Sequence, residues 1–472
     1  MSKIGFVSVS VVLSAQLLVA GGEIDKPQEN VNGVNADIVA PIFGIKKYKY
    51  VKKPITVDDG SIHGYIRMHH IFSGEDNTFD PGTGSTLGFG LGYGMEVMPN
   101  LKVGIEAYGV MDSGLTETDG SENVAYGQFM NTIKNPNELD ADGTIGMHLR
   151  YTGENYKVTL ARSQFKSPMT DIQITHVPNM YEYLRLDTKL LGGKTTLAFI
   201  NKMAYGSRSA ADFGLIGEKT GTAGMYLSPL TPKLDATPPI ERGTYYGISD
   251  TVASNDSSGI GVFGYEKSHG MWSVKLWDFM VDDVANNLFV EGSYKYKLGT
   301  GKVFKLSGHV WHQSINNDFY EDKYGGTLLG VEALLKWGPV VGKLAYETKD
   351  EGGLLNAWGA NPGYTSSIFS RNEYRGDVDA YKATLVYKPM KNLKLVASYA
   401  DYGQSSMVSP TTPGNPPLTS LTDATERDLV IVYQPTKQLS FKLFNAERTS
   451  EFSSAGKPLT QNHTRLIVNY AF

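Results

Sequence analysis

An all-β fold, a closed antiparallel transmembrane β-barrel of about 18 strands, is what this sequence predicts. Three observations predict it. The body of the 472-residue chain breaks into amphipathic runs that alternate with period two. The connectors between these runs are alternately short and long. The last run, 462–472, puts Thr464, Leu466, Val468, Tyr470 and Phe472 on one face and His463, Arg465, Ile467, Asn469 and Ala471 on the other. Such a strand separates an apolar phase from water, and the aromatic residue at its end fits a barrel-closing strand.

Composition sets the bounds. There is no cysteine, glycine numbers 52, tyrosine 28, and the net charge is −5. Mean hydropathy is −0.25, as expected when strands are apolar on one face alone. No dense Lys/Arg run exists, so nucleic acid is not an expected partner. Residues 1–21 read as a secretory signal: Lys3, an apolar run from Ile4 to Ala20, and a cleavage site at Val19-Ala20-Gly21. Residues 22–60 form an N-terminal periplasmic or lumenal segment with a basic cluster at Lys46, Lys47, Lys49, Lys52 and Lys53. The barrel itself is expected over 61–472.

Taken in order, strands are expected near 61–73, 84–98, 101–110, 143–152, 155–163, 180–190, 194–206, 258–267, 271–280, 286–297, 302–313, 326–337, 339–348, 379–388, 392–402, 426–434, 438–448 and 462–472. The short connectors are turn formers, among them Met98-Pro-Asn100, Gly192-Gly193, Ser268-His-Gly270, Gly299-Thr-Gly301 and Gly338-Pro339. The long ones are polar, notably 111–142, 207–257, 349–378 and 403–425. Short turns on one rim and long loops on the other are the asymmetry of outer-membrane barrels, with turns periplasmic and loops extracellular.

The outward faces carry Leu87, Phe89, Leu91, Tyr93, Met95 and Val97 on the second strand and Ile145, Met147, Leu149 and Tyr151 on the fourth. Tyr151, Tyr156, Trp272, Tyr296, Phe304, Trp337, Tyr387 and Tyr433 fall beside short turns on that face. They form an expected aromatic girdle at the periplasmic interface.

The inward faces are rich in cations. The expected pore-lining and constriction residues are Arg67, Arg150, Arg162, Asp171, Arg185, Asp187, Lys189, Lys202, Lys295 and Lys305. Lys157, Lys275, Lys336, Lys343, Lys382, Lys388, Lys394, Lys442 and Arg465 share that parity, against few acids (Glu96, Glu106, Asp187, Glu291, Glu332, Glu347, Asp428). A wall so charged must be wet, because uncompensated charge cannot sit in a dry core. A row of cations would pass a carboxylate or other anion along the pore. Arg162 is the exception: strict alternation turns it outward, and a bulge at the strand end would be needed to re-aim it.

Segment 164–179 is too apolar for a free loop (Phe165, Met169, Ile172, Ile174, Val177). It is expected to fold inward and place Asp171 opposite Arg150, Arg162, Arg185 and Lys189. Gly88, Gly90, Gly92 and Gly94 line the inward face of the second strand, which suggests close approach of another element or local curvature. His69 and His70 point to opposite faces and no zinc-type spacing occurs, so neither metal nor other cofactor is expected. No nucleophile elbow or Ser-His pairing stands out.

Several segments in their order resemble the OprD-like outer-membrane porin family, in the form found in epsilonproteobacterial relatives. They are Ala161-Arg-Ser-Gln-Phe-Lys-Ser-Pro168 with Asp171 and Pro178-Asn179; Asn286 to Lys297; His309-Val-Trp-His-Gln313; and Trp358-Gly-Ala-Asn-Pro-Gly-Tyr-Thr365 with Arg371 and Arg375. The resemblance spans nearly the whole mature chain. It implies third and seventh loops folded into the barrel, a basic ladder for carboxylate-bearing solutes, and a monomer or loose homotrimer. The departures are a ladder mostly of lysine and a long fourth loop. Lysine lacks the bidentate fork of arginine, so a general pore is expected over a tightly specific one. The expected function is passive diffusion of small hydrophilic, preferably anionic solutes across the bacterial outer membrane, in contact with its lipid. A barrel enzyme of phospholipase or protease type, and an adhesin, are the alternatives. A plugged receptor would need a longer segment before the first strand.

Overall fold

The computed structural model describes residues 55–57, 60–73, 82–116, 142–170, 176–206, 243–251, 255–321, 324–356, 358–359, 362–370, 372, 375–408, 418–452 and 458–472. Eighteen strands form the barrel: β1 (Gly60–Ser73), β2 (Gly82–Met98), β3 (Leu101–Asp112), β4 (Asp142–Thr152), β5 (Tyr156–Ser163), β6 (Met180–Leu190), β7 (Gly193–Ala204), β8 (Ile260–His269), β9 (Trp272–Val281), β10 (Ala285–Gly299), β11 (Lys302–Ile315), β12 (Gly326–Trp337), β13 (Val340–Lys349), β14 (Val378–Met390), β15 (Leu393–Tyr402), β16 (Leu418–Tyr433), β17 (Leu439–Phe452) and β18 (Leu459–Ala471). Each pairs antiparallel with its neighbours in sequence, and β1 pairs with β18 from Tyr65↔Ala471 to Ser73↔His463. The Gly64 amide donates to the Phe472 carbonyl at 2.9 Å and the Phe472 amide to Gly64 at 3.0 Å, completing the seam. In lipid every backbone polar group needs a partner, and only a closed sheet supplies one without helices.

The turns close as their residues dictate. Asn100 (φ 67°), Gly270 (φ 58°) and Gly338 (φ 57°) occupy the left-handed region. Between β6 and β7 both Leu191 (φ 52°) and Gly192 (φ 74°) do so, the geometry of a two-residue type I′ hairpin. The largest boundary difference is at β16, which begins at Leu418 where alternation suggested 426. Its first residues pair with the short strand Ser405–Val408, above the membrane, where no apolar face is required.

Outside, Phe89, Leu91, Met95, Ile145, Met147, Leu344, Leu385, Leu429 and Ile431 are exposed. Such a surface is stable only in contact with lipid. The expected girdle residues Tyr151, Tyr156, Trp272, Tyr296, Trp337, Tyr387 and Tyr433 are exposed beside the turns. Toward the loop rim the outer face becomes polar: Arg162 pairs with Glu182, Tyr346 donates to Asp379 at 2.6 Å, and Arg427 pairs with Glu447. This step from apolar to polar marks where lipid ends.

Inside, the loop-side wall of β7–β12 is apolar, with Ile200, Met203, Ile260, Trp277, Phe279, Phe289, Trp311 and Leu328 buried. The expectation of a basic wall throughout is therefore corrected. This part of the wall is dry because loops cover it.

Candidate functional site

Three loops meet inside the barrel. After β5 the third loop turns inward at Phe165, which is 2% exposed and packs edge-on against Tyr183 (5.1 Å between ring centroids) and Phe279 (6.3 Å). The Arg185 guanidinium lies 4.9 Å from the Phe165 ring and donates to the Lys166 carbonyl at 3.3 Å. The loop then reaches the wall of β1 and β2. There His176 lies 4.0 Å from the His69 ring, is bonded to Thr86 Oγ1 at 2.7 Å, and accepts at its carbonyl from the Tyr65 hydroxyl. Its ring rests on Gly88, where a Cβ would come within 2.1 Å of Nδ1. Part of the glycine row thus seats an infolded loop, while Gly90 and Gly92 seat the rings of Tyr65 and His63. Gly88→Val is expected to unseat His176, at about 1–3 kcal/mol of overpacking. Increased current noise in single-channel records, with heat-modifiable folding intact, is the check.

The returning limb of the fourth loop supplies the second piece. Tyr246–Gly247 pairs with the end of β7, Ile248 is buried, and Thr251 accepts from the Trp358 indole at 2.7 Å. The seventh loop is the third. Leu355 exchanges two hydrogen bonds with the Gln313 side chain (2.7 and 2.8 Å), and Tyr181 donates to the Trp358 carbonyl at 2.6 Å. Phe165, Met169, Ile248, Leu354, Leu355 and Trp358 share one buried cluster. Tyr364 donates its hydroxyl to Glu291 at 3.2 Å, and burial, then the Glu291 charge, pushes its phenol well above the usual range. It therefore stays protonated and able to donate.

The expected lining residues divide. Arg67 faces inward over the Tyr65 ring (4.6 Å) and donates to Asn469 at 3.0 Å. Arg150, Arg185 and Asp187 come together on β4 and β6. Asp187 accepts from Arg185 (2.8 Å) and Thr196 (2.7 Å), with Lys157 at 3.3 Å. Lys189 follows the same parity toward the turn rim, and Lys295 and Lys305 are register partners on β10 and β11. Two residues are corrected. Arg162 shares the outward face with its register partner Met147 and is bound to Glu182, because alternation persists to the end of β5. Lys202 stands opposite that same Glu182, because a bulge between Ile200 and Lys202 reverses the parity of β7. Asp171 lies outside the described residues.

Alternation held further information. Arg448 is three period-two steps beyond Lys442 on the same face, and Glu426 shares the face of Asp428. Both are inward and buried. The inward acids are largely taken up: Glu291 by Lys275 (3.0 Å), Glu332 by Lys343 (2.9 Å), and Glu347 and Glu426 by the seventh loop. The same wall carries a basic arc of Lys336, Lys388, Lys394, Lys442, Arg465 and Arg67 on β12, β14, β15, β17, β18 and β1, each close enough to feel its neighbour's charge. Lys394 and Lys442 form no ion pair among the described residues.

Closed sheet, lipid-facing belt and infolded loops define a transmembrane β-barrel with the architecture of porins. No known family profile and no curated protein sequence matches this chain. Solved structures do. OccK9 (OpdG) of Pseudomonas aeruginosa superposes with a TM-score of 0.67 at 15% identity, covering 88% of this chain and 99% of that one. OccAB3 of Acinetobacter baumannii gives 0.65 at 11%, covering 88% and 100%. OpdK of Pseudomonas aeruginosa, solved with vanillate, gives 0.62 at 12%, covering 87% and 98%. At these identities the likeness is one of fold.

Proposed function

We propose that this protein is a passive diffusion pore of the bacterial outer membrane for small hydrophilic solutes, favouring anionic and carboxylate-bearing ones. The observation that carries this reading is the basic arc on the wall of a lipid-embedded barrel, in which Lys394 and Lys442 form no ion pair among the described residues. Neutral or paired walls admit solutes by size alone; a strip of cations lowers the barrier for anions. Loops folded across the interior narrow the passage so that solutes must run close to that strip. Vanillate in the OpdK structure is an aromatic carboxylate, and it makes a sensible first solute here. The reading assigns no catalytic residue. It includes a cleaved signal over residues 1–21 and membership of the epsilonproteobacterial form of the OprD-like family, as the sequence motifs suggest. The test is reconstitution in planar bilayers with a salt gradient, alongside swelling of proteoliposomes in vanillate or neutral sugars. Discrete conductance with a zero-current potential of anionic sign is expected. Absence of conductance removes the pore reading, and clear cation preference removes the anionic part.

A further inference from the structure

Four consecutive strands each send one inward side chain to the same stretch of the seventh loop. From β13, Glu347 accepts from the amides of Tyr364 and Thr365, the Thr365 hydroxyl, and Asn372 Nδ2 at 3.0 Å. His309 Nε2 lies 3.3 Å from it. From β14, Lys382 donates to the Ser366 carbonyl at 2.5 Å and to Ser367 Oγ at 3.0 Å. From β15, the Tyr402 hydroxyl donates to the Thr365 carbonyl at 2.8 Å. From β16, Glu426 takes one amide on each oxygen, Phe369 at 2.8 Å and Ser370 at 2.7 Å.

Between these anchors the wall is alanine. In register, Glu347 faces Ala380, which faces Tyr402, which faces Ala424; one step along, Lys382 faces Ala400, which faces Glu426. Ala380 and Ala400 are 0% exposed and Ala424 is 1% exposed, although inward positions of a wide barrel ordinarily meet water. The loop covers them. Among the described residues 364–370 and 372 the loop has little backbone hydrogen bonding of its own, and wall side chains satisfy several of its backbone groups.

We propose that β13–β16 form a built seat that fixes the seventh loop as one jaw of the pore, with Glu347 and Glu426 as its positioning residues. This rests on the pore reading above. A carboxylate offers acceptors alone, so it matches successive backbone amides. A carboxamide places a donor against one of those amides. Acceptance by backbone amides makes the seat tolerant of the loop's side chains but intolerant of a lost carboxylate.

The chain has no cysteine, so Ser370→Cys introduces a single reporter at a site that is buried in the parent. The parent, Glu347→Gln, Glu426→Gln, the double variant, Glu426→Asp, and Glu332→Gln as a wall carboxylate paired with Lys343 would be compared in this background. Heat-modifiable migration reports barrel closure. A water-soluble maleimide reports loop release, and planar bilayers report conductance. Each Gln variant is expected to raise the labelling rate about tenfold or more, the loss of charge-assisted bonds expressed as a rate. Larger and noisier single-channel current should accompany it. Glu426→Asp should retain most protection, and Glu332→Gln should label like the parent. Should the double variant fail to close, the single variants decide. Closed single variants that label and conduct as the parent does overturn the seat, whereas a parent that does not conduct overturns the pore reading instead.

Discussion

Trp358→Ala is expected to widen the pore more than any other single substitution. Trp358 is 4% exposed and joins all three infolded loops: its indole donates to Thr251 of the fourth, its carbonyl accepts from Tyr181 beneath the third, and its ring packs in the cluster with Phe165 and Met169. Truncating a buried tryptophan costs about 3–5 kcal/mol. In the barrel that loss falls on loop docking, because the sheet keeps its own hydrogen bonds. Conductance should rise and the cut-off for uncharged solutes should move to larger size, with unchanged heat-modifiable migration. Records matching the parent in both would show that the constriction does not depend on this junction.

The second large effect is electrostatic. Lys394→Gln with Lys442→Gln should move the zero-current potential strongly toward cation preference. The two lysines are inward and form no ion pair among the described residues, so their charge is available to solute. Each unit charge at contact is worth about 1 kcal/mol in water, so the pair should lower anion over cation permeability about tenfold or more. The shift should shrink as salt is raised, since about 0.1 M salt screens beyond roughly 10 Å. Arg185→Gln should do less to selectivity. Its charge is already held by Asp187 at 2.8 Å, and its visible work is against Phe165 and the Lys166 carbonyl, so it should mainly loosen the third loop. A selectivity change larger for Arg185→Gln than for the lysine pair would mean that the arc on β14–β18 is not what solutes meet.

How much of the site was legible follows from what alternation can encode. Period-two patterning places Arg67, Arg150, Arg185 and Lys305 on the inner face because each strand must satisfy lipid on one side. The same parity extends to Arg448 and Glu426, two buried inward residues outside the expected lining set. It failed at Lys202, where a one-residue bulge opposite Glu182 reverses the face, and no local sequence signal marks that bulge. The apolar composition of segment 164–179 pointed to an inward loop, and the glycine at 88 left room for something to rest on it. That the resting group is His176 could not be read, because the two are far apart in the chain and only the folded loop brings them together.

The sequence by itself determined the barrel: the strand number, the turn rim, the lipid-facing belt and the excess of inward cations. All of these are local consequences of a solvent boundary that every strand crosses. Tertiary structure decided which inward charges are taken up by ion pairs and loop amides. Ion pairs such as Glu291 with Lys275 depend on strand register, and the clasping of loop amides by Glu426 and the dry wall under Trp358 join residues far apart in the chain. A carboxylate has the same parity whether it faces water, a lysine or a backbone amide, and only the folded loop settles among the three.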